Sequence, residues 1–362
     1  MCLMVLDHVR DFATSPAFSP TSPSQASASL FFTRWITHFC APVFVLLAGV
    51  GVGLMARTGR PRAQLARFLL SRGLWLVILE ITWVRFGWHF DLDYRSTTGQ
   101  VIWALGWSMV LLAPLVLLLP SSLIGALGLV LVVGHDAFDL VTPDRLGAAA
   151  WLWRVLHAGG SIQLDPGHGL HIAYPIVPWI GVMGLGYLLG ERWAALGRRR
   201  LLAIGSVAVI AFVVLRAING YGDPHPREPQ QGALRTLFAY LDCEKYPPSL
   251  DYLLMTIGPS LLLLGALRGR ALYGALARGL TALGRAPLFF YLLHLPLVHL
   301  LTFPLRAARH LPLAAGPFRH GLDEPLVVVY GLWLLAVALL WWPTGRWAAL
   351  KDTRRDWWLS YL

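Results

Sequence analysis

Charge is scarce in this sequence. Only 14% of the 362 residues are Asp, Glu, Lys or Arg, against roughly 25% in an ordinary soluble domain. Hydrophobic residues make up 56%, and the mean hydropathy is +0.59. Those figures exclude a cytosolic enzyme and an intrinsically disordered chain. Cysteine is scarcer still: Cys2, Cys40 and Cys243 form no CxxC pair, which excludes a disulfide framework and a thiolate metal site. The N-terminus lacks the basic flank and small-residue cleavage site of a secretory signal. Basic clusters interleaved with aromatics are missing too, so the formal charge of +11 does not indicate a nucleic-acid partner.

What the chain does contain is long apolar runs. Measured against the ~20 residues a helix needs to cross a bilayer, they predict an all-α, polytopic transmembrane bundle. About ten spans are expected, in a single membrane domain over 1–362, near 1–10, 30–55, 68–87, 99–119, 121–135, 171–190, 201–216, 253–267, 286–305 and 325–342. The first run is roughly half of a full span, so the chain begins inside it and the span reads as truncated.

Basic residues orient these spans. With 56–72 placed in the cytoplasm, alternation also puts 191–200, 268–285 and 343–362 there. Those four segments hold 17 Lys and Arg against three acidic residues, whereas the outer segments hold ten against fourteen. This obeys the positive-inside rule and predicts a multi-pass protein of the inner (plasma) membrane with a cytoplasmic C-terminus. Two outer segments are long, about 136–170 and 217–252. Residues 145–157 suit a helix lying in the interface. The prolines of 223–229 and 246–248 make the second segment a shaped loop and not a helix. Loops of this length are often lids or binding segments.

None of the twelve histidines falls in a cytoplasmic segment. Ionisable groups inside a membrane usually face a bundle interior or a water-filled cavity. Asp7, His8 and Asp11 share the outer end of the first span, at helical spacings. Arg34 and His38 are an i, i+4 pair in the second span, and Glu80 lies in the outer half of the third. Tyr291 and His294 are an i, i+3 pair near the middle of the ninth, with His299 beyond Pro296. All fall between mid-membrane and the outer surface, which predicts one outward-opening polar pocket. A structural reading stands beside it: Asp7 with Arg10, or Asp11 with Arg34, as ion pairs, His38 as a packing hydrogen bond, and Glu80 as a counter-ion to Arg34 or Arg72.

Other patterns are weaker. Gly49, Gly51 and Gly53 lie inside an apolar span, where small residues let helices approach closely, and they do not form a phosphate loop. His168 and His171 with Asp165 lack the helical context of a zinc site, so no metal is expected. Trp357 and Trp358 read as interfacial belt residues.

Several of these segments resemble the heparan-alpha-glucosaminide N-acetyltransferase catalytic-domain-like family, particularly its bacterial branch. The resemblance lies in Leu3 to Phe12, in Ala41-Pro-Val-Phe-Val-Leu-Leu-Ala-Gly49, in Tyr174-Pro-Ile-Val-Pro-Trp-Ile-Gly181, in Gly284-Arg-Ala-Pro-Leu-Phe-Phe-Tyr-Leu-Leu-His294, and in residues 354–362. It implies a multi-span acyltransferase that moves an acetyl group from cytosolic acetyl-CoA, a co-substrate and not a bound cofactor, to an amine on the far side of the membrane. The family's lysosomal member has Asn where Asp7 stands and a catalytic His in the following loop. Segment 12–29 holds no His, so the resemblance passes that role to His8 or His38. The family's upstream Asp-x-x-Arg-Gly portion does not precede Leu3 in this sequence, which implies either a start codon assigned too late or a truncated copy.

The expected protein is a membrane acyltransferase acting on an outer-face saccharide or other envelope acceptor. His294 or His38 serves as base or transient acyl carrier, with His8 and Asp7 as further catalytic groups. Asp7 orients an imidazole or the acceptor, and Arg34 polarises the thioester carbonyl. Asp11, Glu80, Tyr291 and His299 bind substrate. The other class is a small-molecule or proton-coupled transporter using the same groups, and a third is a non-catalytic membrane protein. The sequence carries no signal of oligomeric state.

Overall fold

The computed structural model describes residues 1–14, 18–271, 273–314, 322–354, 356, 358 and 359. Arg355, Trp357 and residues 360–362, part of the terminal stretch that resembles the bacterial branch, lie outside the described residues. In chain order the helices are α1 (Cys2–Ala13), α2 (Ala28–Thr37), α3 (Cys40–Arg57), α4 (Arg62–Leu79), α5 (Arg85–His89), α6 (Val101–Leu118), α7 (Ser121–Gly134) and α8 (Ala150–Trp153). They continue with α9 (Ile176–Glu191), α10 (Arg198–Ile218), α11 (Ala233–Leu241), α12 (Leu250–Leu267), α13 (Ala275–Arg285), α14 (Pro287–Ala308) and α15 (Leu326–Thr353). Three short strands, β1 (Ser96–Gly99), β2 (Gly160–Asp165) and β3 (His168–Ile172), form a sheet in the order β1-β3-β2.

The fold is an all-α, multi-pass membrane bundle. Among the described residues, seven helical segments are long and apolar enough to cross a membrane. The three remaining expected spans are also helical. They are α1 with 12 residues, the charged α4 continued by a π-turn at Glu80–Val84 into α5, and α9 with 16 residues. Local chemistry sets many boundaries. Pro61, Pro120, Pro175 and Pro325 stand immediately before α4, α7, α9 and α15, where the missing N–H leaves no helical bond unmade. Ser27 and Ser249 cap α2 and α12 by accepting the N–H groups of Leu30 and Tyr252.

Both long loops contain structure that their composition hides. Residues 143–158 are three short helical pieces, not one interfacial helix, and the β2–β3 hairpin follows them. The expectation that 217–252 contains no helix is corrected by α11. Its nine residues lie in a proline-free interval between the two proline clusters and carry an apolar face, so the prolines bound the helix instead of preventing it. Beside α11, Arg216 donates to the carbonyls of Ala239 and Tyr240, while Asp223 accepts from the Ser249 hydroxyl and the Glu244 N–H. Burial raises the Asp223 and Glu244 carboxyls above the usual range.

Within the single membrane domain expected from the sequence, the chain packs as two compact units. One comprises Met1–Cys40, Thr82–Asp93 and Arg270–Leu362, the other Ala41–Ile81 and Tyr94–Gly269. In the second unit, glycines set the helix contacts. A Cβ on Gly49 would stand 2.2 Å from the Met183 carbonyl oxygen, and one on Gly53 2.2 Å from that of Tyr187, so α3 and α9 touch backbone to backbone. Gly51, between them, has nothing within 4 Å of its Cβ position. Gly49→Ala and Gly53→Ala are expected to destabilise the detergent-solubilised protein by about 1–3 kcal/mol each. Gly51→Ala should leave its unfolding temperature unchanged or raised. Equal effects at all three positions would contradict this packing.

Candidate functional site

The first unit gathers the ionisable groups that the sequence singles out. It is built on α1, held by α2, α14 and α15. The Trp333 indole of α15 donates to the Cys2 carbonyl at 2.8 Å, and the Thr33 and Tyr330 hydroxyls meet at 2.7 Å. On α14, Pro296 has no N–H to offer the carbonyl of Leu292, four residues earlier. The Trp83 indole N–H takes that acceptor at 2.8 Å. Proline thus opens a backbone group, and a neighbouring side chain satisfies it, as the membrane interior requires.

Two residues before Pro296, within that break, His294 is fully buried. Its Nδ1 donates to the Tyr291 carbonyl at 2.5 Å, and its Nε2 lies 2.7 Å from Nδ1 of His8 on α1. A carbonyl can only accept, so the proton of neutral His294 sits on Nδ1 and its Nε2 carries the lone pair. His8 must then donate from Nδ1, which makes Nε2 of His8 the basic nitrogen of the pair. Two imidazoles 286 residues apart are therefore ordered in one direction by a single backbone carbonyl. Trp88 stands edge-on to the His8 ring at 4.9 Å and stacks on Phe12 at 5.1 Å, fixing the ring from the side.

Beside this pair lies an ion cluster. The Asp7 carboxylate is buried and accepts from Arg34 (2.7 Å to Oδ2), from Arg10 (3.0 Å) and from the Thr37 hydroxyl (2.9 Å). Arg10 also reaches Asp11 at 2.6 Å. Helical spacing places Asp7, Arg10 and Asp11 on one side of α1, and α2 brings Arg34 and Thr37 to meet them. The Asp7–Arg10 pair is present, and Arg34 goes to Asp7 instead of Asp11.

The family model for the heparan-alpha-glucosaminide N-acetyltransferase catalytic domain matches residues 3–218. The chain belongs to that family. Among curated proteins and solved structures, no match was found. The match carries Asp7, His8, Asp11, Arg34, His38 and Glu80 of this N-acetyltransferase-family chain and ends before Tyr291, His294 and His299. The side chain that completes the imidazole pair therefore comes from outside the matched stretch.

The remaining expected site residues of this family member divide. His38 is buried at the end of α2, where its backbone N–H donates to the Trp35 carbonyl. Tyr291 supplies its carbonyl to His294, with its ring 5.2 Å away. His299 has its two nitrogens at 3.1 Å from the carbonyls of Gly87 and Leu313, and it stacks on Phe90 at 4.3 Å. A neutral ring carries one N–H and so donates to one of these two carbonyls at a time, which places His299 between α5 and the segment that follows α14. Glu80 lies in the other unit and accepts the Trp103 N–H at 3.0 Å, meeting the positive N-terminal end of α6. Its expected partner among the arginines is replaced by a helix end, because the first N–H groups of a helix have no acceptor of their own. Thr37 and Trp88 were not singled out from the sequence; a hydroxyl three residues after Arg34 was the available signal for the first. His168 pairs with Asp165 and His171 with Ser161 on the β2–β3 hairpin.

Proposed function

We propose that the protein is a transmembrane acyltransferase that moves an acetyl or related acyl group from cytosolic acyl-CoA to an amine or hydroxyl of an outer-face saccharide, with His8 as general base and His294 as the residue that orients it. The observation that carries this reading is the 2.7 Å contact between His8 Nδ1 and His294 Nε2, whose direction is set by the Tyr291 carbonyl. Nε2 of His8 takes the proton of the acceptor as its nitrogen or oxygen attacks the thioester carbonyl. The C–S bond breaks as the new bond forms, and the proton on His8 passes to the departing CoA thiolate. General-base help of this kind contributes about 10²–10⁴-fold. Arg34, held by Asp7, supplies positive charge to the developing oxyanion. In the proposed orientation the C-terminus is cytoplasmic and the membrane is the bacterial inner membrane.

The test is turnover in proteoliposomes loaded with amino-sugar acceptors. Labelled acetyl-CoA added outside should release CoA and leave label on the enclosed acceptor. Acceptor or proton flux with no dependence on acetyl-CoA would overturn this reading in favour of a transporter.

A further inference from the structure

The helix preceding α14 presents a second feature that the reaction centre does not use. On α13, Arg278, Thr281 and Arg285 are spaced i, i+3 and i+7, so they fall along one side of the helix. Facing them on α15 are Gly345, Ala348, Ala349 and Asp352, at the same helical period. Small side chains on that helix leave space: the two rows line a cavity of about 340 Å³. At about 30 Å³ per liquid water, this is room for a diphosphate with part of its hydration. The helices are fixed against each other beside it. A Cβ on Gly279 would fall 1.7 Å from a Trp341 ring atom, and Phe289 stacks on Trp347 at 4.5 Å.

The charge of the cavity is positive. Arg285 pairs with Asp352 at 2.7 Å, while Arg278 has no ion pair among the described residues. Two guanidiniums flanking a hydroxyl make a donor set suited to phosphate oxygens, since each guanidinium offers a planar fork of N–H groups. Asp352 would share Arg285 with an incoming anion or release it. The cavity belongs to the same unit as the reaction centre, and α14 follows α13 directly. From Pro287 to His294 is seven residues of α14, about 10 Å of helix rise at 1.5 Å per residue, a distance that an extended pantetheine arm covers.

We propose that the groove between α13 and α15 is the binding site for the phosphate-bearing end of the acyl-CoA donor, with Arg278, Thr281 and Arg285 as its ligands. This rests on the acyl-transfer reading above and adds to it where the donor is held. Occupation of the groove draws Arg285 from Asp352 onto the diphosphate and leaves the thioester arm to run along α14 towards His8.

The experiment is titration of the full detergent-solubilised chain with CoA and, separately, with pantetheine, which lacks phosphate. The double variant Arg278→Gln/Arg285→Gln should raise the Kd for CoA at least tenfold and leave pantetheine binding unchanged, with an unaltered unfolding temperature. Arg278→Lys/Arg285→Lys should fall between wild type and the Gln double variant, because the charge is kept but the planar fork of donors is lost. Ala349→Leu should also weaken CoA by filling the groove without touching its charge. Equal CoA affinity in wild type and the Gln double variant overturns the groove and leaves the acyl-CoA reading standing. A lack of CoA binding by wild type overturns that reading, and the occupant with it. Native mass spectrometry supplies the other arm. Phosphatidylglycerol retained by wild type and lost by the double variant, with CoA affinity unmoved, gives the groove to a lipid headgroup and overturns the proposal.

Discussion

His8→Ala should lower the rate of acyl transfer about 10²–10⁴-fold, the range that a positioned general base supplies. His294→Ala should lower it by a comparable factor for a different reason. Without the His294 Nε2 acceptor at 2.7 Å, nothing holds the His8 proton on Nδ1, so the basic lone pair of His8 is no longer fixed on Nε2. Residues that act as a unit are not additive, and the double variant should be no slower than His8→Ala alone. Tyr291→Phe is the control within the same contact. The group that orders the pair is the Tyr291 carbonyl and not its hydroxyl, so this variant should keep the rate within a few-fold. Single-turnover acetyl transfer with purified protein measures all four. A His8→Ala protein that retains wild-type turnover ends the assignment, as would a Tyr291→Phe protein as slow as His294→Ala.

Loss of the Asp7 charge should be the most damaging structural change. Its carboxylate takes hydrogen bonds from Arg34, Arg10 and Thr37 inside the first unit. Asp7→Asn keeps the shape but leaves the guanidiniums facing a neutral amide. Removing one partner of a buried ion pair costs about 3–5 kcal/mol, a large share of the roughly 5–15 kcal/mol by which a folded domain is stable. The expected result is a marked fall in the unfolding temperature in detergent, or failure to recover folded protein. Asp11→Asn, which removes one contact to Arg10, should cost less. The compensating pair Asp7→Asn/Arg34→Gln should regain part of the loss, because it removes charges of both signs together. If Asp7→Asn unfolds like wild type, the cluster carries no such weight.

The same cluster shows how far the sequence reached. Spacing on α1 put Asp7, Arg10 and Asp11 on one side of the helix, and they do meet there, since helical neighbours are fixed by a local period. Which carboxylate Arg34 would meet depended on how α2 lies against α1, and no local period encodes that. The imidazole paired with His294 is likewise His8, although His38 was an equal candidate on sequence grounds. His299 and Glu80 looked like substrate ligands because intramembrane polar groups often are. Tertiary contacts gave them backbone partners instead: two carbonyls for His299 and the Trp103 N–H for Glu80. Of the three α3 glycines read as contact points, Gly49 and Gly53 meet the backbone of α9 and Gly51 meets nothing, a distinction that only the position of α9 makes.

Composition and hydropathy by themselves determined that this chain is a multi-pass helical membrane protein, because the cost of leaving peptide groups unpaired in lipid acts residue by residue. Short motifs sufficed for its family. The order of the two imidazoles, the owner of each arginine and the groove beside α13 were decided by the packing of helices distant in sequence. A contact between residues 8 and 294 leaves no trace in the neighbourhood of either, and its direction depends on a backbone carbonyl that every residue possesses.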